Sequence, residues 1–494
     1  QTRYYPFRDL AVHLTGYVAT ISQSEKTGDP VLELPGFKIG KSGIEKSFDS
    51  KMRGRGAQRQ VEVNALGRII RKLPGEETQM GHDIELTIDV SLQSFSTKRL
   101  AQGNSMYIPV DDPRIQRALS EGRNLPPGTD PVNGYVNVDY KGNVLAPESG
   151  AAVVMDAFNG DVLALASTPG FDPNSFSSGL NAADWENLLS NPRSPMTNKA
   201  VSGQYSPGST FKMIVCLAAL EAGVAHQETK VNCSGMIEFG DSRFHCWKKD
   251  GHGWLNMIDA IEQSCDVYLY ELAKRVGIKR IGEMAARFGF GEAFNFGLPG
   301  ENRGLIPTPA WKRKTFGQAW HAGETLITSI GQGFILCTPL QLAVMTSRLV
   351  NGGRPVLPRL MKNERAEIQK RKSLQLSPQH LHTVLKGMDK VVNGSQGTAR
   401  KVVDQSMKFQ FGGKSGSVQV KRISLDERES GKLKNKDRPW RERDHAMFVA
   451  FAPLKSPRYV VSVVVEHGGG GSTMAAPIAR DILAEALRLN PSKL

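Results

Sequence analysis

Residues 151–167 read AAVVMDAFNGDVLALAS. Two β-rich runs flank Asn159-Gly160, a pair suited to the positive φ values of a two-residue hairpin turn. A second hairpin is expected near the far end, where 446–452 and 459–465 flank a proline-containing turn, and a strand at about 410–420 precedes it. Five strands in two sequence blocks, with helices between and after them, predict an α+β fold: one antiparallel sheet covered by helices. The last segment, 475–489, has helical periodicity.

The middle of the chain is helix-rich. Residues 211–222, FKMIVCLAALEA, are nearly all apolar and stop at Gly223, which predicts a buried helix with a glycine stop. Residues 256–277 form a second helical region, interrupted around Ser264. Upstream, DIELTIDV at 83–90 alternates as a strand, and a helix is expected at 91–101. Proline and glycine turn signals with little periodicity mark 103–149 as a surface insertion. Residues 1–82 mix short apolar stretches with basic runs such as KMRGRGAQR at 51–59, and read as a separate extended module ahead of a main domain at 83–494. The stretch 421–444 is dense in both charges and reads as an exposed loop.

The chain has 494 residues, 39% of them hydrophobic and 23% charged, so a packed core is expected. Its net charge of +14 favours polyanionic surroundings such as nucleic acid, anionic lipid or wall polymer without choosing among them. No nucleic-acid motif accompanies it, and no nucleic-acid partner is expected. No stretch approaches the roughly 18 apolar residues of a membrane-spanning helix. The first residue is Gln1, and an N-terminal anchor is expected upstream of it. Five cysteines, an odd and sparse set, do not form a disulfide framework.

Ser209-Thr210-Phe211-Lys212 opens the apolar helix, after the turn Ser206-Pro207-Gly208. Three residues' separation puts Ser209 and Lys212 on one helix face. A hydroxyl needs a base to become a nucleophile, and a buried lysine can be tuned to serve as one. The helix N-terminus adds N–H groups for a developing oxyanion. Ser264-Cys265-Asp266 falls at the break in the second helical region, and Lys414-Ser415-Gly416-Ser417 leads into a strand. The Gly-Lys-Ser in that last block is not a phosphate loop, because Lys408 stands where the first glycine is required and a strand follows rather than a helix. S-x-x-K, S-x-D and K-S-G-S, in that order, are specific together where each is weak alone.

With these three motifs the sequence resembles class B penicillin-binding proteins, most closely their elongation type, penicillin-binding protein 2. Supporting stretches are Tyr205 to Thr210 (YSPGST), Gly331-Gln332-Gly333, Gly397-Thr398-Ala399, Glu466-His467 with the four glycines after it, and, upstream, GKSGIE from Gly40 and VEVN from Val61. The resemblance implies a penicillin-binding, serine β-lactamase-like transpeptidase domain with a helical subdomain, on an N-terminal pedestal. It implies a serine D-Ala-D-Ala transpeptidase that cross-links peptidoglycan stem peptides during cell elongation. The substrates implied are stem peptides on nascent glycan strands, and the inhibitors are β-lactams. A RodA-type glycosyltransferase, an MreC-type regulator and a place on the periplasmic face of the bacterial inner membrane are implied as well. Carried onto matching positions, Ser209 is the nucleophile and Lys212 its base. Ser264, in the same motif as Asp266, relays protons while Lys414 tunes the field. Ser415 and Ser417 hold the substrate carboxylate, and Gly416 lets substrate lie against the strand. Serine at 415 and 417, where threonine is usual, keeps both hydroxyls.

Cys233, Cys246, His252 and Cys265 follow the pattern C-x12-C-x5-H-x12-C. Three thiolates and one imidazole suit a closed tetrahedral structural zinc site, and the family resemblance implies one in this region. His245 is an alternative ligand, and a disulfide such as Cys233–Cys246 an alternative to metal. Cys216 and Cys337 sit in apolar segments as core residues. Asp156 and Asn159 are expected to shape the hairpin turn, and His467 either lines the cleft or is a surface imidazole. The competing readings are a serine β-lactamase or D,D-carboxypeptidase on the same scaffold, and a β-lactam sensor.

Overall fold

Both expected hairpins form, and they pair with each other. The structure, a computed structural model, describes the chain apart from residues 1–2, 27–31, 33, 35, 55–60, 73–78, 122–134, 140–143, 363–372, 405–406, 422–434 and 493–494. Strands β1 (Gly150–Asp156), β2 (Val162–Thr168), β3 (Gly412–Val418), β4 (His445–Ala452) and β5 (Tyr459–Val465) make one antiparallel sheet in the order β3-β4-β5-β1-β2. At the β1–β2 turn, Asp156 Oδ1 accepts the N–H groups of Phe158 and Asn159 at 2.9 and 3.2 Å. Both residues therefore shape the turn, as expected. Every residue of β1, β2 and β5 is buried. Helices cover both faces of the sheet, which is why these strands read as apolar runs rather than as alternation.

The helices that matter below are α1 (Val90–Gln102), α2 (Lys212–Glu221), α3 (Met257–Glu262), α4 (Asp266–Arg287), α5 (Pro309–Phe316), α6 (Ala322–Ser329), α7 (Pro339–Val350), α8 (Pro378–Asn393) and α9 (Ala476–Leu489). α1 packs on β2 and α9 on β4 and β5, α7 lies against β1 and β5, and α2, α4 and α6 build the helical subdomain. Residues Lys212 to Leu220 of α2 are all buried. Its end at Gly223 has φ 65°, the left-handed value the sequence anticipates. Among the described residues no helix is long and apolar enough to cross a membrane.

Three expectations are corrected. Residues 83–90 form no strand. They run extended, Thr87 N–H donating to Leu360 O and Asp89 N–H to Leu163 O, with an isolated bridge between Leu86 and Met361. Their alternation reflects attachment to two different partners rather than membership of a sheet. The helix after Ser264 does not stop at Gly277 but bends there (φ 78°, ψ 157°) and continues to Arg287. The insertion is more regular than its turn signals indicate. Met106–Pro109, Tyr135–Val138 and Val144–Leu145 form a three-stranded sheet beside a helix at Pro113–Ser120, with a small core at Ile115, Val136 and Val138. Much of the charged loop, 422–434, and the middle of the insertion lie outside the described residues.

The N-terminal module is a chain of short elements, among them the strand pair Val18–Thr20 with Lys38–Gly40 and the hairpin Val61–Val63 with Ile69–Lys72. Arg3 reaches Glu45 at 3.1 Å, and the two residues line a cavity of about 400 Å³ where the module meets residues 82–86.

One contact positions the site from a distance. Gly208 N–H donates to Gly331 O at 2.8 Å, and Gly331 has φ 73°. A Cβ there would lie 2.0 Å from Gly208 O. Gly331→Ala should displace the turn that carries Ser209 and destabilise the fold by about 1–3 kcal/mol. Calorimetry and acylation kinetics should both register it; an unchanged melting temperature and rate would show that the contact is not needed.

Candidate active site and metal centre

The residues of the three motifs come from four separate elements and meet at one point. A 3₁₀ turn, Gly208–Phe211, leads into α2. Gly208, Thr210 and Phe211 are buried while Ser209 is half-buried, so the turn presents one hydroxyl to the cleft. The next turn of backbone carries Lys212, fully buried.

Lys212 Nζ donates to Asp266 Oδ1 at 2.7 Å, to Ser264 O at 2.8 Å and to Ser264 Oγ at 3.1 Å. These three bonds use the full donor set of an ammonium group. Lys414 Nζ, also fully buried, lies 2.9 Å from the same Ser264 Oγ and 3.0 Å from Ser415 O. Burial, followed by the Lys212 charge, pushes the Lys414 amine well below the ordinary lysine range. Among the described residues the Ser209 hydroxyl makes no hydrogen bond, to Lys212 or otherwise. The expected Ser209–Lys212 hydrogen bond is not made; the lysine is turned toward Ser264 and Asp266 instead.

The chain break between α3 and α4 makes this convergence possible. Ser264 has φ 55°, a left-handed value that costs a non-glycine residue about 1 kcal/mol or more. The strain aims its hydroxyl between the two amines. Cys265 then caps α4, its Sγ accepting Tyr268 N–H at 3.4 Å.

On the opposite wall, β3 is an edge strand with β4 as its one sheet partner among the described residues. It lies against the turn that carries Ser209: a Cβ at Gly416 would be 3.3 Å from Pro207 O, and one at Gly208 would be 2.9 Å from the Val418 side chain. Unpaired edge N–H and C=O groups can bind an extended peptide by strand addition. Both hydroxyls of β3 are oriented from outside the strand. Ser417 Oγ accepts Gly471 N–H at 3.0 Å, and Ser415 Oγ lies 3.0 Å from Thr398 Oγ1.

Thr398 is a contact that the sequence reading missed, although Gly397-Thr398-Ala399 carried part of the resemblance. Buried Glu262 sets it: its carbonyl accepts Thr398 N–H, and its Oε1 accepts Gln396 N–H at 3.0 Å. Tyr205 and Glu466 were quoted as parts of motifs without roles. Tyr205 O–H donates to Glu466 Oε1 at 2.8 Å, tying the stretch before Ser209 to the end of β5. His467 is half-buried on the same side, its backbone N–H donating to His445 Nδ1 at 3.0 Å. No periodicity announces such long-range pairs.

Next to the break, Cys233, Cys246, His252 and Cys265 bring three Sγ atoms and one imidazole nitrogen within 4.8 Å of one another. All five cysteines are free thiols, so Cys233 and Cys246 form no disulfide. Tetrahedral zinc with Zn–S near 2.3 Å and Zn–N near 2.0 Å sets S···N separations of about 3.6 Å. His252 Nδ1 lies 3.5 Å from Cys233 Sγ and 3.6 Å from Cys246 Sγ. The donor set and its spacing therefore fit zinc. His245 is not in the cluster; its carbonyl accepts Tyr270 O–H instead. Hydrogen bonding to Cys265 draws the Cys233 and Cys246 thiols below their usual range and pushes Cys265 above it.

The cluster and the Lys212–Ser264 group share Asp266. Its N–H donates to Cys246 Sγ at 3.4 Å, its Oδ2 accepts Trp247 N–H at 2.9 Å, and its Oδ1 holds Lys212. Trp247, a further residue the sequence reading missed, also donates its Nε1–H to Ser264 O at 3.1 Å.

The family model described as penicillin binding protein transpeptidase domain matches residues 150–484, and the one described as penicillin-binding protein dimerisation domain matches residues 1–86. The chain belongs to the penicillin-binding protein transpeptidase family. The peptidoglycan D,D-transpeptidase MrdA of Acinetobacter baumannii is 33% identical over 97% of this chain and that of Escherichia coli 31% over 97%. The chain spans 65% and 70% of those two proteins' lengths, about two thirds. Penicillin-binding protein 2 of Helicobacter pylori, solved in complex with MreC, superposes with a TM-score of 0.80 at 30% identity, covering 99% of this chain and 79% of that one. Penicillin-binding protein 2 of Pseudomonas aeruginosa superposes with a TM-score of 0.76 at 32% identity, covering 98% of this chain and 91% of that one. Ser209, the Ser264–Asp266 break and the Lys414–Ser417 strand edge all lie within the residues matched by the transpeptidase-domain model.

Two substitutions separate charge balance from packing. Asp266→Asn leaves the fully buried Lys212 ammonium unpaired and should destabilise the protein by about 3–5 kcal/mol. Lys414→Met should slow acylation by a β-lactam at least about 100-fold while leaving the melting temperature unchanged or higher, since it removes a poorly solvated amine. Scanning calorimetry beside acylation kinetics checks both; a large fall in stability for Lys414→Met would contradict this assignment.

Proposed function

We propose that this protein is a serine D,D-transpeptidase that cross-links peptidoglycan stem peptides, and that it is acylated at Ser209 by β-lactams. The observation that carries the reading is the meeting of Lys212, Lys414, Ser264 and Asp266 beside the edge strand β3, with Ser209 half-buried next to them.

A stem ending in D-Ala-D-Ala would lie along β3, its terminal carboxylate on the Ser415 and Ser417 hydroxyls. Ser417 already accepts a hydrogen bond from Gly471, so its own proton is free to donate. Ser209 Oγ attacks the penultimate carbonyl as its proton passes to the lysine–Ser264 group. The oxyanion is held by the backbone N–H groups of Ser209 and Ser417. The C–N bond breaks, and the departing D-Ala amine takes a proton through Ser264. An amine of a neighbouring stem then attacks the ester, forming the cross-link and returning the proton to Ser209.

Cys233, Cys246, Cys265 and His252 would hold one zinc ion, whose chemistry is structural: four closed ligands and no open position. Because Asp266 bonds to Cys246, a bound ion would brace the residue that holds Lys212. We place the protein on the periplasmic face of the bacterial inner membrane, in cell elongation, anchored through an N-terminal segment. By family resemblance its partners are a RodA-type glycosyltransferase and an MreC-type regulator. The likeness to a penicillin-binding protein 2 solved with MreC supports the second.

Incubation with uncross-linked, pentapeptide-bearing peptidoglycan should release D-Ala and form dimeric stems with wild type and not with Ser209→Ala. Release of D-Ala without dimers would identify a carboxypeptidase, and rapid turnover of penicillin a β-lactamase. Elemental analysis should find about one zinc per chain, and Cys246→Ser should lose it and lower the melting temperature. Metal-free protein with an unaltered melting curve would refute the metal assignment.

A further inference from the structure

α5 carries aromatic side chains that the chemistry above does not use. It reads PAWKRKTF, starts on a Thr308 cap that accepts Trp311 N–H, and stops at Gly317. The rings of Trp311, Phe316 and Phe334 form a triangle, with centroids 5.6 Å apart for Trp311–Phe316, 5.2 Å for Trp311–Phe334 and 5.5 Å for Phe316–Phe334. A core would bury such a group. Here Phe316 is 50% exposed and its two partners are half-buried, while Ile327, beside Gly333, is 38% exposed.

Charge is sorted around the rings. Lys312 points inward to Glu324. Arg313 and Lys314 are exposed and make no ion pair among the described residues. The result is an apolar shelf with two cations at its rim.

The shelf is tethered close to the Ser209 turn. Phe334 stands three residues beyond Gly331, whose carbonyl accepts Gly208 N–H beside the nucleophile. Three residues of extended chain span at most about 11 Å. Size helps to choose the occupant. Fully buried aromatic side chains cover about 150–250 Å² each, so three partly covered rings offer on the order of 300 Å². That is well short of the roughly 800 Å² per partner of a stable protein interface. It matches one or two sugar rings.

We propose that the shelf holds the saccharide backbone of the peptidoglycan strand whose stem enters the cleft. The apolar faces of the pyranose rings stack on Trp311, Phe316 and Phe334, and carboxylates along the stems pair with Arg313 and Lys314. This rests on the transpeptidase reading, and it adds a site for the glycan that is separate from the site for the D-Ala terminus.

The test uses two probes on the Ser209→Ala protein: soluble uncross-linked glycan strands bearing pentapeptide stems, and the free pentapeptide. The glycan-linked stem should bind at least about tenfold more tightly. Phe316→Ala should remove most of that difference, and Arg313→Glu with Lys314→Glu should reduce it without touching a packed ring. With Ser209 intact, both variants should keep the wild-type rate of acylation by benzylpenicillin. Equal affinity for the two probes, or a difference that survives in Phe316→Ala, would overturn the shelf while leaving the transpeptidase reading in place. Failure of wild type to be acylated by benzylpenicillin would instead reject the reading on which it rests.

Discussion

Two lysines and one carboxylate occupy a volume almost closed to water. Lys212 and Lys414 are fully buried, Asp266 is 8% exposed, and both amines lie about one hydrogen bond from Ser264 Oγ. Each uncompensated ion in such a place costs several kcal/mol. One carboxylate can balance one ammonium, so the second lysine is driven toward its neutral form. The geometry says which is which. Lys212 takes Asp266, while Lys414 faces only a hydroxyl and a carbonyl, and its amine is pushed well below the ordinary range. A neutral amine held beside an ammonium through one serine is a proton relay that needs no external base.

Much of the surrounding architecture serves to keep these three groups together. Ser264 can stand between the amines because the helix breaks there into a left-handed residue, and Asp266 can reach Lys212 because α4 restarts at once on the Cys265 cap. The cysteine–histidine cluster sits directly behind that restart. It shares Asp266 with the active site and, with zinc as we propose, would turn a strained break into a fixed corner. From the other side, the sheet delivers Lys414 on its edge strand, and the glycines at 208 and 416 let the nucleophile turn close against it.

The parts of this arrangement legible in the sequence are those encoded locally. The Asn159-Gly160 turn, the valine-rich strands, the apolar helix after Ser209 and its stop at Gly223 all follow from residues within a few positions of one another. The clustering of Cys233, Cys246, His252 and Cys265 was legible because cysteines are scarce elsewhere in the chain. What escaped depends on distant partners. The alternation of residues 83–90 reads as a strand, but their hydrogen bonds go to Leu163 and Leu360. Thr398, Trp247 and Glu262 act through contacts to residues more than a dozen positions away, which no spacing rule reports. The aromatic shelf was invisible for the opposite reason: tryptophan and phenylalanine at helical spacing ordinarily mark a core face, and only the fold shows Phe316 left half in solvent.

The pH dependence of acylation by benzylpenicillin, measured in a single turnover from about pH 5 to about pH 10, addresses the paired-lysine arrangement most directly. Proton uptake by the relay amine at low pH removes the base, so the rate should rise through an apparent pKa well below the roughly 10.4 of a free lysine. Asp266→Asn removes a negative charge and should move that limb to still lower pH. A rate that rises only near the free-lysine value would contradict the existence of a neutral lysine at this site.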